Sequence, residues 1–509
     1  MNKLAKWLMF TLSICAALAH GSDKLPEMPE APVLNSDIIS QRKQEREQAE
    51  SLRPKQDDLL RQTQLKQADD GSPKPPANLS DEELLAQPQI LEKLLVINLL
   101  STNVRNLEHL SQLYVKTNNP DPSLLDWAQA ALLVNKNLKQ AIRAYRSLSA
   151  RFPNNTFIRF QLAALLYQNQ EFEAAKSQFE KLRAADNMGA EEIATFDQYL
   201  QAIANKEQWN FSLDGNFLRD KNMTELADTG TQMVLDNGGV ITQSTPKESG
   251  SGIGWNLGAS RQWSFDKGRF SSFDSSISHK YYWNNKKFNE LGIYASAGYG
   301  YADARTRVQI APYFYKRLYA GGMNNNEGEK PKLHSYTDTL GVSLSSMYWM
   351  TPKLRGTVSY SFGKDRYSDD ALNARNRSSS HSLGGSMMYL RNPKQYFGVG
   401  LDISKRNAVT ESNSYKRPSA RVFWGQEWVG GISTNLSFNV AKRQYDGTHF
   451  VGLRQENKEY NTSLTVWHKA LHFKGFTPKL NVNWHRTKSN IPIYSYRKNQ
   501  AFIQVEKSF

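Results

Sequence analysis

The stretch Ala501-Phe502-Ile503-Gln504-Val505-Glu506-Lys507-Ser508-Phe509 decides how the rest of the chain reads. Ile503, Val505 and Phe509 fall on one side of a period-two strand, while Phe502, Gln504, Glu506 and Ser508 fall on the other. Lys507 interrupts the apolar side once, and its long stem lets the ammonium snorkel to an interface. One apolar face, one mostly polar face and a closing aromatic fit the last strand of a bacterial outer-membrane barrel, between lipid and a wet lumen. A half-buried strand of a soluble sandwich carries the same alternation, so the segments before it must decide.

Upstream, the alternation recurs. Trp209, Phe211, Leu213, Gly215 and Phe217 alternate with Asn210, Ser212, Asp214 and Asn216, and the pattern returns in Ile253–Ala259, Val358–Phe362, Phe397–Ile403, Ile432–Val440 and Leu480–Trp484. Counting weaker segments, fourteen strands fit between Trp209 and Phe509. Their connections alternate in length. Short turns are expected at Asp266-Lys267-Gly268, Asp303-Ala304-Arg305, Thr351-Pro352-Lys353, Asn392-Pro393-Lys394, Gly430-Gly431 and Lys474-Gly475. Longer polar stretches separate them at Arg219–Gly250, Lys316–Lys332, Lys364–Ser379, Lys405–Arg417, Lys442–Lys458 and Arg486–Asn499, with one short outer connection at Asn284-Asn285-Lys286. That rhythm belongs to outer-membrane barrels, with periplasmic turns below and outer loops above. An even strand count returns the chain to the side it entered from. Nine of the eleven tryptophans lie in this region, as interfacial girdles require.

Before Trp209 the period is helical. Ser80-Asp81-Glu82-Glu83 is a capping box that opens an ordered helix, with a break expected at Pro88. From about 105 to 205 the sequence repeats at a spacing of thirty-four residues: Leu138, Ala141 and Tyr145 return as Phe172, Ala175 and Phe179, and Pro153 ends the first unit. The alanine lets two helices approach and the aromatic fills the next gap, a pattern that resembles tetratricopeptide repeats. Leu107–Tyr114 and Glu191–Ala204 would be the flanking helices of a short stack. The resemblance places Asp126, Phe160 and Tyr167 on positions that commonly line a client-binding groove. An ordinary helical bundle with a chance repeat is the competing reading.

The ends of the chain complete the expectation. Lys3 and Lys6, the apolar run Trp7–Leu18 and the small-residue exit Ala17-Leu18-Ala19 describe a secretory signal peptide over residues 1–19. Cys15, the one cysteine, lies inside that run, so the mature chain has no thiol and no disulfide framework. Residues 20–79, rich in Gln, Lys, Glu, Asp and Pro, bury too little apolar surface to order themselves and are expected as a disordered linker. The remaining domains are then a periplasmic helical domain over 80–206 and a transmembrane barrel over 207–509. Phe509, with Ile503 and Val505, is expected to serve as the barrel assembly signal.

In 509 residues, hydrophobic side chains make up only 39%, and no uncharged apolar run beyond the N-terminus spans a membrane as a helix. The formal charge of +15 would suit nucleic acid, but an exported chain meets no genome; outer-membrane lipid, lipopolysaccharide or an acidic client are better partners. No reaction site emerges. His468 and His472 stand four apart on a strand running into a turn, where that spacing gives no common metal face. Serines on lumen positions, such as Ser343, Ser345, Ser359 and Ser361, lack a base and read as small wall residues. Gly321-Gly322 and Gly384-Gly385 do not open helices, so no phosphate cradle is indicated. The sequence points to a non-enzyme with no catalytic, cofactor-binding or metal site.

A leader, a short helical-repeat domain and a fourteen-stranded barrel ending in IPIYSYRKNQAFIQVEKSF together resemble the surface lipoprotein assembly modulator family, Slam, the translocators of the type XI secretion pathway. Its most specific parts are Arg391-Asn392-Pro393 through Leu401-Asp402, and Tyr494-Ser495-Tyr496-Arg497-Lys498-Asn499. The resemblance implies an outer-membrane translocator that delivers surface lipoproteins, or secreted haem- or metal-scavenging proteins such as haemophores, to the cell surface. The barrel assembly machinery and periplasmic chaperones are the further partners it implies, and no catalytic residues come with it. An exopolysaccharide export porin with periplasmic repeats, or a general porin, is the alternative.

Overall fold

The computed structural model describes residues 80–508 apart from 101–103, 186–187, 236–237, 323–329, 393, 450–451 and 474–475. The expected leader and linker, Phe509 and the turn residues Pro393 and Lys474-Gly475 lie outside the described residues.

Eight helices come first: α1 Asp81–Ala86, α2 Pro88–Leu100, α3 Val104–Val115, α4 Pro122–Lys136, α5 Leu138–Arg151, α6 Thr156–Gln168, α7 Phe172–Arg183 and α8 Ala190–Glu207. The capping box forms as read: the Glu83 amide donates to Ser80 Oγ and the Ser80 amide to Glu83 Oε2, at 3.3 and 2.8 Å. Gln87 breaks the helix and Pro88 starts the next, where a missing amide hydrogen costs nothing. The repeat also takes structural form. Leu138 and Phe172 open equivalent helices, and Ala141, Ala175 and Phe179 are wholly buried, so α4–α5 and α6–α7 stack as hairpins with α8 behind them. Trp127 Nε1 donates to Gln161 Oε1 at 3.0 Å, one repeat further on, and ties the two hairpins together.

The remaining strands are β1 Asn210–Asp220, a small hairpin β2 Gln232–Val234 and β3 Val240–Thr242, then β4 Gly250–Ser264, β5 Arg269–Tyr282, β6 Glu290–Ala302, β7 Thr306–Tyr319, β8 His334–Thr351 and β9 Leu354–Tyr367. After the short helix α9 Asp370–Asn376 follow β10 Ser378–Asn392, β11 Gln395–Ala408, β12 Tyr415–Glu427, β13 Ile432–Thr448, β14 Arg454–His468, β15 Phe476–Ser489 and β16 Tyr496–Ser508. Leaving out β2–β3, the strands pair antiparallel in chain order, and β1 meets β16 to close a fourteen-stranded barrel. Closure satisfies the backbone inside hydrocarbon, where water is not available to do so. The short turns sit at the end nearest the helices. At one of them Lys267 and Gly268 take positive φ of 59° and 73°, and a Cβ on Gly268 would lie 2.3 Å from the Ala302 carbonyl oxygen.

Several outer connections are shorter than the sequence implies. Lys364, Lys405, Lys442, Lys458 and Arg486 are strand residues, paired with Ser379, Lys416, one another in the case of Lys442 and Lys458, and Arg497. The reason is physical. Above the hydrocarbon band both faces of a strand are wet, so the apolar alternation fades while the hydrogen-bond ladder runs on.

Candidate functional site

The pairing register sorts the wall into two faces. Partner pairs such as Leu383↔Ile403, Met387↔Val399 and Val422↔Phe438 point outward, and Leu401, Ile503 and Val399 expose 71, 58 and 56% of their surface. These are lipid-facing positions. Their neighbours point into the lumen and are largely polar: Ser343, Ser345, Ser359 and Ser361 line it, as do Asn435, Asn439, Asn461 and Asn481, with Phe270, Tyr313, Met388, Tyr396 and Phe423 set among them.

Toward the outer end the lumen carries paired charges. Glu459 is buried between Arg417 and Arg443, each with its Nε at 2.8 Å from a carboxylate oxygen. Arg406, 2% exposed, donates to Ser378 Oγ, the Tyr367 hydroxyl and the Asn376 carbonyl at 3.1 to 3.2 Å. Arg317 meets Glu290 at 3.1 Å and lies over the rings of Tyr319 and Tyr336. Each cation thus has partners of its own, as buried charge requires. Among the described residues no group of three His, Cys, Asp or Glu could hold a metal ion.

The connection from β1 to β4, one of the longer polar stretches in the sequence, folds over one side of the outer mouth. Met223 turns inward to pack with Tyr282, Phe288 and Tyr319, while Met233 and Ile241 of the β2–β3 hairpin pack on Ile491 and Ile493, between β15 and β16. Glu225, at φ 53°, accepts from the Tyr496 hydroxyl at 3.0 Å and from Lys498 at 3.4 Å. The connection therefore ties β16 to the rim formed by β5 to β7. The sequence signal for the hairpin was the Asn237-Gly238 dipeptide between two short apolar runs.

At the opposite end the helical stack docks on the Asp303 turn between β6 and β7. Asp303, 4% exposed, meets Lys139 Nζ at 2.8 Å and the hydroxyl of Tyr301 at 3.0 Å, and accepts the Arg305 and Thr306 amides at 2.8 Å. Burial pushes its pKa up, but the hydrogen bonds from Lys139 and the two amides prevail and hold it below the usual carboxylate value. Gln170 donates to the Asp303 carbonyl and the Ala304 amide donates to Asn169 Oδ1, so the α6–α7 turn grips the same barrel turn. Arg261 Nε donates to the Glu207 carbonyl at 2.9 Å and lies over Trp209 and Trp263, fixing the junction between α8 and β1. A cleft of about 380 Å³ lined by Lys176, Ile203, Gln208, Trp209 and Arg261 remains beside it.

The groove candidates separate by depth. Asp126 is half-exposed and pairs with Arg151 at 2.7 Å. Phe160 is half-buried on an aromatic cluster with Phe179, Phe196 and Tyr199, at centroid distances of 5.7 to 6.2 Å. Tyr167 is 6% exposed, edge-on to Phe172 and Tyr199, with Lys206 over its ring. It lies beneath the surface. Asp126 and Phe160 occupy corresponding positions in successive repeats, and Phe160 and Tyr167, two turns apart on α6, both pack on Tyr199. Ile503 and Val505 face lipid.

A family model for surface lipoprotein assembly modifiers matches residues 209–509, and a model of that family's N-terminal tetratricopeptide repeats matches 77–179. Surface lipoprotein assembly modifier 1 of Haemophilus influenzae is 34% identical over 434 residues, which cover 85% of this chain and 87% of that protein. The surface lipoprotein assembly modifier of Pasteurella multocida is 32% identical, covering 85% of each, and the hemophilin secretion modulator of Acinetobacter baumannii is 22% identical, covering 79% of this chain and 82% of its own. The lipid-facing wall of the closed barrel places the protein in the bacterial outer membrane, with the helical repeats on the periplasmic, short-turn side. Repeats and barrel together make this chain a member of the surface lipoprotein assembly modifier family.

Proposed function

We propose that this protein is an outer-membrane translocator that delivers client proteins, either surface lipoproteins or secreted haem- or metal-scavenging proteins, from the periplasm to the cell surface. The observation that carries this reading is the docking of the helical stack on the periplasmic rim of a polar-walled barrel through Lys139, Asp303 and the α6–α7 turn. A client has to be recognised before it enters the lumen, and a helical-repeat surface supplies recognition without a reaction step. Residues 80–206 form the periplasmic client-holding domain and 207–509 the route. Asp126 and Phe160 contact the client, and Tyr167 supports them from below. Ile503, Val505 and Phe509 are read by the barrel assembly machinery, periplasmic chaperones keep the chain unfolded until then, and lipopolysaccharide meets the basic outer rim. No cofactor is needed. Family membership weighs against the polysaccharide-export and general-porin alternatives.

The test is co-expression with a lipoprotein or haemophore encoded beside it, in a laboratory Gram-negative host, followed by surface labelling of that client. Removing residues 80–206 should lower surface display without preventing barrel insertion, and removing the barrel should end display. Persistence of display in a clean deletion of the whole protein would overturn the reading.

A further inference from the structure

One seam of the barrel differs from the others. Among the described residues β1 and β16 share five register pairs, Ser212↔Ser508 to Asn216↔Gln504, whereas β1 and β4 share eleven and β15 and β16 twelve. The ladder stops halfway up. Above Asn216, Phe217–Asp220 stay paired to β4 and Gln500–Ile503 to β15, but among the described residues these four positions of each strand run side by side without a backbone pair. β1 rises from the helical domain at Asn210 toward the outer connection at Asp220, so the split begins at Phe217 and Ile503, at the outer edge of the apolar band, and ends among Arg219, Asn499 and Arg497 at headgroup level. In hydrocarbon a strand edge is costly, and barrels ordinarily close it along its length.

Side chains bridge the split instead. Lys498 of β16 meets Asp220 of β1 at 2.8 Å, Gln500 donates to the same carboxylate at 3.2 Å, and Lys498 and Tyr496 both reach Glu225 of the β1–β4 connection. Such bonds can exchange with water without unravelling a ladder. The positive φ of Glu225 is one that a side-chain-bearing residue seldom adopts, and its two contacts on β16 hold it there. Phe217 and Ile503, 46 and 58% exposed, flank the split on the lipid side.

We propose that the outer half of the β1–β16 seam is a lateral slot through which the acyl chains of a lipidated client pass into the outer leaflet, latched by Asp220, Lys498 and Glu225. This rests on the translocator reading. Acyl chains crossing a lumen lined largely by serine, asparagine and paired charges, and then the charged mouth, would expose most of their methylenes to water. A slot at the outer leaflet lets the polypeptide stay in the wet lumen while the anchor meets hydrocarbon at its destination.

The test locks the slot. Extending the register of the ladder, Arg219→Cys with Ala501→Cys spans the split, and Ser346→Cys with Val358→Cys spans the paired β8–β9 seam as control. Heat-modifiable migration reports that each barrel is folded. With a co-expressed lipidated client, oxidation of the first pair should lower surface display at least tenfold, reductant should restore it, and the control pair should have no effect. The same client with its lipid-attachment cysteine replaced should still be exported within twofold. Unchanged display of the acylated client in the locked barrel overturns the slot, as does equal loss of both client forms. If deletion of the whole protein leaves both forms exported, the translocator reading itself fails. A benzophenone amino acid replacing Phe217 supplies the second measurement: it should capture the acylated client during export, and capture of phospholipid alone overturns the proposal.

Discussion

The helical domain and the barrel obey opposite burial rules. In the helices the buried set is apolar apart from Asn169 and Glu171 at the α6–α7 turn, with Leu91, Leu95, Ala175 and Phe179 all at 0% exposure. In the barrel, buried residues include Arg406, Glu459, Ser404 and Thr337, while Leu401, Val399 and Ile503 are the exposed ones. The chemistry of the side chains is the same in both regions; the solvent differs. The helices exclude water from a core, whereas the barrel encloses polar groups and turns its apolar face to lipid. Two truncations break the comparison most severely if it is false. Phe179→Ala removes a wholly buried ring stacked on Tyr199 and should cost the helical domain about 4 kcal/mol in urea melts, with the barrel still heat-modifiable. Glu459→Ala leaves Arg417 and Arg443 buried without their shared carboxylate and should destabilise the barrel by about 4 kcal/mol, with the helical domain unaffected. A loss smaller than 1 kcal/mol at Glu459 would mean that the lumen is open to water at that level.

A milder pair of substitutions sharpens the contrast. Leu401 and Val115 are both largely exposed, at 71 and 58%, yet one faces lipid and the other water. Leu401→Arg should cost about 3 kcal/mol when the barrel is refolded into bilayers, because a cation in hydrocarbon is far more expensive than a leucine. Val115→Arg should change the stability of the helical domain by less than about 0.5 kcal/mol. Equal costs at the two sites would remove the assignment of the barrel's outer face to lipid.

The same contrast explains what could be read from the sequence. The period of two survives where one face meets lipid and the other water, so Phe397–Ile403 and Leu480–Trp484 declared themselves as strands. It vanishes at Lys405, Lys442 and Arg486, where both faces are wet, and the continuing ladder was missed. The helical repeat was legible because Ala141 and Tyr145 recur as Ala175 and Phe179 at one spacing. Tertiary pairing has no such period. Nothing around Glu225 announces that it will reach Tyr496 and Lys498, more than two hundred residues away, and nothing in Asn210–Asp220 shows that half its edge lacks a strand partner. The depth of Tyr167 was likewise hidden, since repeat position fixes which helix a residue lies on more firmly than how deeply it sits.

The smallest effect is expected where the two regions meet. Lys139 lies largely in solvent and Asp303 does not, so their pairing should be worth about 1 kcal/mol of docking, read as the coupling in a double-mutant cycle of Lys139→Ala and Asp303→Asn. Docking can be followed in nanodiscs as the distance between spin labels at Gln168 and Lys353. Its pH dependence has a definite sign. The docked Asp303 carboxyl titrates below its ordinary value of 3.8, because Lys139, the Arg305 and Thr306 amides and Tyr301 overcome the burial that opposes ionisation. Its contribution is therefore complete above that value and is lost as pH falls through the lower, docked one. Lys139 is raised above 10.5, chiefly by its hydrogen bond to Asp303, so its share is complete below that value and is lost only as pH rises through the docked one. Between about pH 5 and 10 docking should not change, and below about pH 4 the distance distribution should broaden. Asp303→Asn should abolish the acid limb while leaving each region folded. An acid limb that survived Asp303→Asn would place the titrating group elsewhere on the rim and show that the two regions are joined mainly through Glu207, Arg261 and Trp209.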